Sequence, residues 1–423
     1  MGSAVEFAAM GRLEVRVSPD DVGKRVSIRR LAEAGESGGR FTDTVGILTS
    51  WDDGVVVVTR RSGEQVRMAE SSLVAGKVVP AAPARRRGPS ASYGELAHVT
   101  ARAWQPLESE RLGEWLLRAA VQDAPDATPG VPEQRSTHGA LAGVTGAGAS
   151  GAGREGAGTG STGAADEGLE GTGTGDAGTA GGSPEGTGSV PGAPRRTGFT
   201  RRANSALPLG DPGVPLPEAL ARVHAWYARR GLPAYIQTAT GAEGTQELLC
   251  AELEAHGWRR EVTAELQTAP LVPVADPPAG RGAGADRVHL SREIDDGWLR
   301  RYHRTGGAAG PDADVVRAVL AAGPSVWFAS VRDEGPDGEP GAPAAIGRCV
   351  VDGRWAGFMA VEVAPQARRR GLATAVMAAL ARRALDEGAS AAWLQVEAEN
   401  TAAQTLYRSM GFDVHHSYHH YRR

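Results

Sequence analysis

A chain of 423 residues with 41% hydrophobic content has material for two or three folded cores, so wholesale disorder is excluded. Its 46 basic side chains face 50 acidic ones, and the net charge of −4 argues against a dedicated nucleic-acid binder. The 2 cysteines, Cys250 and Cys349, have neither CxxC nor zinc-ligand spacing, which disfavours a disulfide framework and a metal centre and favours a reducing compartment. No run approaches about eighteen uncharged apolar residues, and Met1 to Arg16 lacks a secretory pattern, so a cytoplasmic protein without a membrane partner is expected.

Between Val22 and Val79, short β-rich runs follow one another. Val26 and Ile28 alternate with polar neighbours, Thr44 to Leu48 is a second run, and Val55 to Thr59 follows Asp53-Gly54, a strong hairpin signal. Ser62-Gly63 supplies another turn. Closely spaced strands of this kind predict a small all-β, SH3-like barrel over residues 1–82. A linker at 83–92 follows, and its Arg85-Arg86-Arg87 reads as a solvated triplet rather than a phosphate contact.

An α/β region is expected over 93–271, interrupted by a disordered insertion at 121–195. From Gly139 to Gly192, 20 of 54 residues are glycine and none is aromatic, too little apolar surface to offset the entropy of ordering. The flanks, Trp115 to Ala120 and Gly198 to Ser205, read as strands that pair across the tract. Leu220, Val223 and Trp226 stand at helical spacing within Leu216 to Arg230. Ala234 to Thr238 reads as a strand, Thr245 to His256 as a helix and Trp258 to Gln267 as a strand. Proline and glycine then mark a second linker at 272–285.

Residues 286–423 open with a strand at Val288 to Leu290 and a helical stretch from Ile294 to Arg304. Strands at Val326 to Val331 and Ala344 to Val351 precede a near-continuous apolar run, Phe358 to Val363, suited to a central strand. Ala373 to Glu387 carries Val376, Leu380 and Ala384 on one helical face, with Gly388 as its stop. Ala392 to Glu397 is a strand, Thr401 to Met410 a helix, and a closing strand begins at Phe412. Trp355 and Trp393 read as core residues.

The chemistry concentrates where the central strand meets its helix, at Val363-Ala364-Pro365-Gln366-Ala367-Arg368-Arg369-Arg370-Gly371-Leu372-Ala373-Thr374. A helix start offers free amides and a positive dipole end to an anion. Gly371 and Ala373 keep bulk away, and Arg368, Arg369 and Arg370 add charge that holds phosphate through parallel bonds. The bland alternative is an ordinary strand-to-helix turn with surface arginines.

Arg368-x-x-Gly371-x-Ala373 resembles the Gln/Arg-x-x-Gly-x-Gly/Ala signature of the GCN5-related N-acetyltransferase (GNAT) family. Asn400-x-x-Ala403-x-x-x-Tyr407-x-x-x-Gly411-Phe412 is similar to that family's second block. The resemblance covers roughly Val288 to Arg423. It implies an α/β GNAT fold whose mixed sheet splays open around acetyl-CoA, used as co-substrate with no metal. The activity implied is N-acetyl transfer to a primary amine, of a small molecule or of a protein or peptide, by direct attack in a ternary complex. Carried over, the backbone of Val361, Glu362 and Val363 holds the acetyl and pantetheine amides. The amides of Arg368, Arg369, Arg370, Gly371, Leu372, Ala373 and Thr374 cradle the pyrophosphate, and Asn400 contacts the CoA arm. Tyr407 stands where the family has a general acid for the leaving thiolate; a core tyrosine is the alternative.

An attacking amine must lose a proton. The similar ribosomal-protein acetyltransferases carry a Glu on the penultimate strand where this chain has Gln395, so Glu397 and Glu362 are the candidate bases, with a water chain left open. His415, His416, His419 and His420 invite a zinc reading, but with no Cys or carboxylate cluster beside them a closing strand lining the acceptor pocket is the simpler expectation. Strand alternation puts His416, Tyr418 and His420 on one face. The middle region resembles a degenerate copy of the same fold. Its Gly210-Asp211-Pro212-Gly213 carries an acid where pyrophosphate needs positive charge, so no CoA is expected there. The layout is similar to a group of actinobacterial acetyltransferases. The competing reading is an acyl-CoA-binding regulatory protein with little turnover.

Overall fold

The computed structural model describes residues 14–32, 41–80, 88–123, 196–278, 287–302, 313–332 and 341–423. The glycine-rich tract and the Arg85-Arg86-Arg87 triplet lie outside the described residues. Strands β1 (Arg25–Leu31), β2 (Phe41–Asp52), β3 (Val55–Thr59), β4 (Gln65–Ala69) and β5 (Leu73–Val78) form an antiparallel sheet in the order β4-β3-β2-β1-β5. Asp53 and Gly54, with φ of 48° and 74°, take the left-handed pair of conformations that the tight β2–β3 turn requires. Alternation buries Val26, Ile28, Leu48, Val56, Val58 and Met68 in a core of their own.

Helix α1 (Tyr93–Ala103) is not among the elements expected from sequence. Ser92 starts it by accepting from Glu95 N at 3.1 Å, and Leu96, Val99 and Ala103 form its buried stripe. Next, β7 (Trp115–Ala119) pairs with β6 (Glu108–Leu112) and β10 (Leu207–Pro208), while β8 (Val121–Asp123) pairs with β9 (Arg196–Gly198). Val121–Asp123, where composition points to insertion, is therefore strand. Phe199 to Ser205 turns instead of extending, because Asn204 reaches back: its Oδ1 accepts from Ala120 N at 2.8 Å and its Nδ2 donates to Phe199 O at 2.6 Å.

Helices α2 (Leu216–Ala228) and α3 (Glu247–Ala255) and strands β11 (Tyr235–Thr240) and β12 (Arg259–Pro270) follow their periodicity. Helix α4 (Leu271–Ala275) occupies the start of the stretch read as linker, with Leu271, Val274 and Ala275 in the core. The remaining elements are β13 (Val288–Ser291), α5 (Asp296–Arg301), α6 (Ala313–Ala321), β14 (Ser325–Val331), β15 (Ala345–Asp352), β16 (Trp355–Val363), α7 (Leu372–Asp386), β17 (Ala391–Glu397), α8 (Thr401–Ser409) and β18 (Asp413–Arg422). Sequence reading anticipates all but α6.

An eight-stranded sheet runs in the order β11-β18-β12-β17-β16-β15-β14-β13. Strands from either side of 272–285 interleave in it: β12 separates β17 from β18, and β18 separates β11 from β12. Helices α4 and α7 cover one face with Val376, Met377 and Leu380, packed on Phe358, Leu394 and Val396. The other face, under α1, α5 and α6, buries Met359 and the two tryptophans expected in the core, Trp355 and Trp393. Arg348 of β15 is wholly buried there. Its guanidinium donates to Leu320 O, Ala322 O and Ala103 O at 2.6, 2.7 and 3.1 Å, tying the ends of α6 and α1 to the sheet. Burial without a countercharge brings its pKa down to about 10.

Candidate active site

The parallel pair β16–β17 is short: Trp355 to Phe358 run beside Ala391 to Leu394 and pairing stops there. Gly357 allows the close start, because a Cβ on it would meet Trp393 Cζ2 at 2.3 Å. Past Phe358 the strands follow different neighbours. Strand β17 keeps its ladder with β12 from Ala391 to Glu397. Strand β16 stays with β15 but bulges opposite Ile346 to Arg348, where Ala360 takes a φ of 51°. A gap opens in the sheet between Met359–Val363 and Gln395–Glu397.

Side-chain alternation sorts the candidate residues around this gap. Val361 and Val363 pack toward α7, which turns Glu362 to the opposite face. Leu394 and Val396 do the same for Gln395 and Glu397, so both candidate bases stand on the face under α1. Both carboxylates are half-buried. Tyr407 lies on the α7 side, half-buried on α8, with its ring 6.0 Å from Phe412 in an edge contact, and Phe412 lies 6.5 Å from Phe358 where the gap opens. Burial alone pushes the Tyr407 hydroxyl up to about 12, so it stays protonated near neutrality.

At the end of β16, Pro365–Ala367 makes a single 3₁₀ turn, Arg368 is extended, and Arg369 and Gly371 take φ of 66° and 76°. Helix α7 then begins with no side chain capping it. The amides of Leu372, Ala373 and Thr374 have no acceptor within the helix. Arg369, Arg370 and Gly371 are exposed, whereas Arg368 is half-buried with its Nε buried and unbonded. Open amides, an orphaned guanidinium nitrogen and two further arginines fit a diphosphate. Asn400 serves the neighbouring helix: its Oδ1 accepts from Ala403 N at 3.1 Å and caps α8.

The region before 272 contains a related arrangement. Ala206 bridges Ile236 in parallel, and a loop leads on into α2. There the donors are already taken by the chain's own acids: Asp211 N donates to Glu114 Oε2 and Gly213 N to Asp211 Oδ1, both at 2.7 Å. A diphosphate in that loop would meet two carboxylates.

In the closing strand β18, which is interior to the sheet, His416, His419 and His420 are all buried, so both of its faces are covered at these positions. His419 bonds Thr240 Oγ1 through Nε2 and Thr263 Oγ1 through Nδ1, each at 2.9 Å. Among the described residues no group of three or more His, Cys, Asp or Glu is placed to hold a metal. No helix among them is long and apolar enough to cross a membrane. Sequence reading misses two residues on the α1 face. Trp104, at the end of α1, donates through Nε1 to Gln395 Oε1 at 3.2 Å, and Arg202 lies over the Trp104 ring with 5.8 Å to its centroid. Nothing in the local sequence marks either, since each comes to this face only through tertiary packing.

A family model described as "Probable histone acetyltransferase Rv0428c C-terminal" matches residues 194–421. The chain is similar to the "Probable histone acetyltransferase Rv0428c" of Mycobacterium tuberculosis (strain ATCC 25618 / H37Rv), with 26% identity over 402 residues, 95% of each chain. Among solved structures, a GCN5-related N-acetyltransferase from Kribbella flavida has a TM-score of 0.34 at 18% identity, covering 54% of this chain and 80% of its own. A tandem GNAT protein from the clavulanic acid biosynthesis pathway has a TM-score of 0.41 at 14% identity, covering 55% and 75%. The family model covers more than half of the chain, from β9 into β18, and the protein belongs to that family, the one described as the Rv0428c C-terminal domain of a probable histone acetyltransferase.

Proposed function

We propose that the protein transfers the acetyl group of acetyl-CoA to a primary amine by direct attack in a ternary complex. The observation that carries this reading is the gap past Phe358 and Leu394, which ends beside the uncapped start of α7. The β16 backbone at Val361, Glu362 and Val363 lies along the gap to bond the acetyl and pantetheine amides as an added strand. The amides from Arg368 to Thr374, with the three arginines, hold the pyrophosphate. Asn400 orients the start of α8 toward the CoA arm.

Two faces divide the chemistry. Glu397 or Glu362, directly or through water, takes a proton from the amine on the α1 face, and Tyr407 gives one to the departing CoA thiolate on the α7 face. The self-occupied loop at Asp211 supports reading 93–271 as a degenerate copy that holds no CoA. The five-stranded N-terminal sheet supports an SH3-like module over 1–82 that takes no part in the chemistry. The acceptor is a small-molecule or protein amine; the mycobacterial relative's name makes histone peptides one class to include.

Calorimetric titration with acetyl-CoA, followed by thiol release over amines and peptides, tests the proposal. Micromolar binding with acceptor-dependent thiol release is expected. Binding without turnover on any acceptor would refute it in favour of a CoA-binding regulator.

A further inference from the structure

Among the buried arginines, Arg348, Arg118 and Arg202 have no carboxylate within ion-pair distance among the described residues, and their surroundings differ. Arg348 is fully engaged by three main-chain carbonyls and the Met359 sulfur. Arg118 bonds Ser205 O, Ser205 Oγ and Gln237 Oε1 at 3.1, 2.9 and 3.4 Å. Arg202, 6% exposed, has a single acceptor among the described residues, the phenolic oxygen of Tyr418, at 3.1 Å from Nε and 2.7 Å from Nη2. The rings of Trp104 and Tyr418 surround it at 5.8 and 5.9 Å. Taking a guanidinium out of water with one neutral oxygen to meet it is costly unless an anion completes the shell.

Its position says which anion. Tyr418 pairs with Ala264, and Ala264 pairs with Glu397, so the three stand in one row across β18, β12 and β17 and share a face. Two strand spacings, about 10 Å, separate Tyr418 from Glu397, and only a methyl group lies between them. Trp104, under the guanidinium, bonds Gln395 one row along. Arg202 therefore looks along the α1 face toward the side of the gap where the proposed bases stand, away from the arginines of the α7 loop.

Building on the proposed transfer, we infer that Arg202 binds a carboxylate of the acceptor, so that the acceptor class is an aminocarboxylate whose amine lies toward Glu397 and Glu362. Tyr418 holds the guanidinium in plane for a two-point grip on that carboxylate.

The test uses the full chain and matched amines: amino acids against the same amines lacking the carboxylate, such as L-lysine against 1,5-diaminopentane and phenylalanine against 2-phenylethylamine. Thiol release with saturating acetyl-CoA should favour the carboxylate-bearing member by about ten- to hundredfold in kcat/KM. Arg202→Gln should erase that preference by raising KM for the aminocarboxylate alone, and Arg202→Lys should retain part of it. Equal efficiency for both members in the native enzyme overturns the inference while leaving the transferase reading intact, and does not depend on any variant folding. Loss of both members alike in a folded Arg202→Gln protein overturns it too. Acetyl-CoA binding with no turnover on any amine overturns both readings.

Discussion

Phe358 and Leu394 are the last paired residues of the parallel strands β16 and β17, and β16 runs on past them to Val363, eight residues before Gly371 at the start of α7. If the gap and helix start hold acetyl-CoA, Gly371→Glu should abolish binding. A side chain at φ 76° costs about 1–2 kcal/mol, and its carboxylate would face the diphosphate. Calorimetry should read at least a hundredfold loss of affinity with circular dichroism unchanged. Wild-type affinity in the folded variant would sink the site.

Tyr407→Phe should lower kcat by about a hundredfold and leave acetyl-CoA affinity within about twofold, as expected for a proton donor used only in turnover. With a pKa of about 12, Tyr407 remains protonated, so the alkaline side of the pH–rate profile should show no fall from this group near pH 9. Equal losses in turnover and affinity would reduce Tyr407 to a packing residue against Phe412.

The double variant Glu362→Gln/Glu397→Gln should lower kcat by about 10²- to 10⁴-fold and remove the acid limb of the profile. The single variants then identify the base. Unchanged turnover and an intact limb in the double variant would leave proton removal to water held by other groups.

Acid should destabilise the sheet through β18. His416 is held down to about 3 by burial, then by His415, His419 and Arg61; His419 is held to about 3 by burial and then Arg260. Both folded-state values lie below the unfolded value near 6.5, so the unfolded chain binds more protons between them. Stability is present above about pH 6.5 and lost as pH falls toward 3, by up to about 1.4 kcal/mol per pH unit for each ring. Urea unfolding between pH 7.5 and 4.5 reads the slope, and a flat profile would contradict the neutral buried rings.

Arg348→Leu should cost about 3 kcal/mol or more, because Leu320, Ala322 and Ala103 would keep buried carbonyls without donors. A midpoint shift in chemical denaturation at constant slope checks it. A change below about 1 kcal/mol would mean that those helix ends find other partners.

Local periodicity made most elements legible. Val376, Leu380 and Ala384 lie on the buried side of α7, as their spacing requires, and Asp53-Gly54 turns the hairpin it signals. The loop before α7 was readable for the same reason: strand, small residues and helix start are consecutive. Helix α1 is not legible although Ser92 and Glu95 carry a capping signal, because its buried positions carry just two large apolar residues, Leu96 and Val99, beside Ala97, Thr100 and Ala103. Alternation assigns the histidines of β18 to faces but not whether those faces are covered, and only packing buries His416, His419 and His420 alike.

By itself the sequence determined which segments are strands and helices and where an anion would meet a helix start, since these rest on contacts between near neighbours. The tertiary structure decided the rest. Nothing in Arg259–Pro270 says that it lies between β17 and β18, because an alternating strand offers the same backbone groups to any partner. That insertion aligns Glu397 with Tyr418 across Ala264 and so brings Arg202, distant in the chain and bonded to Tyr418, onto the same face. Such proximity follows only from how separate segments pack together.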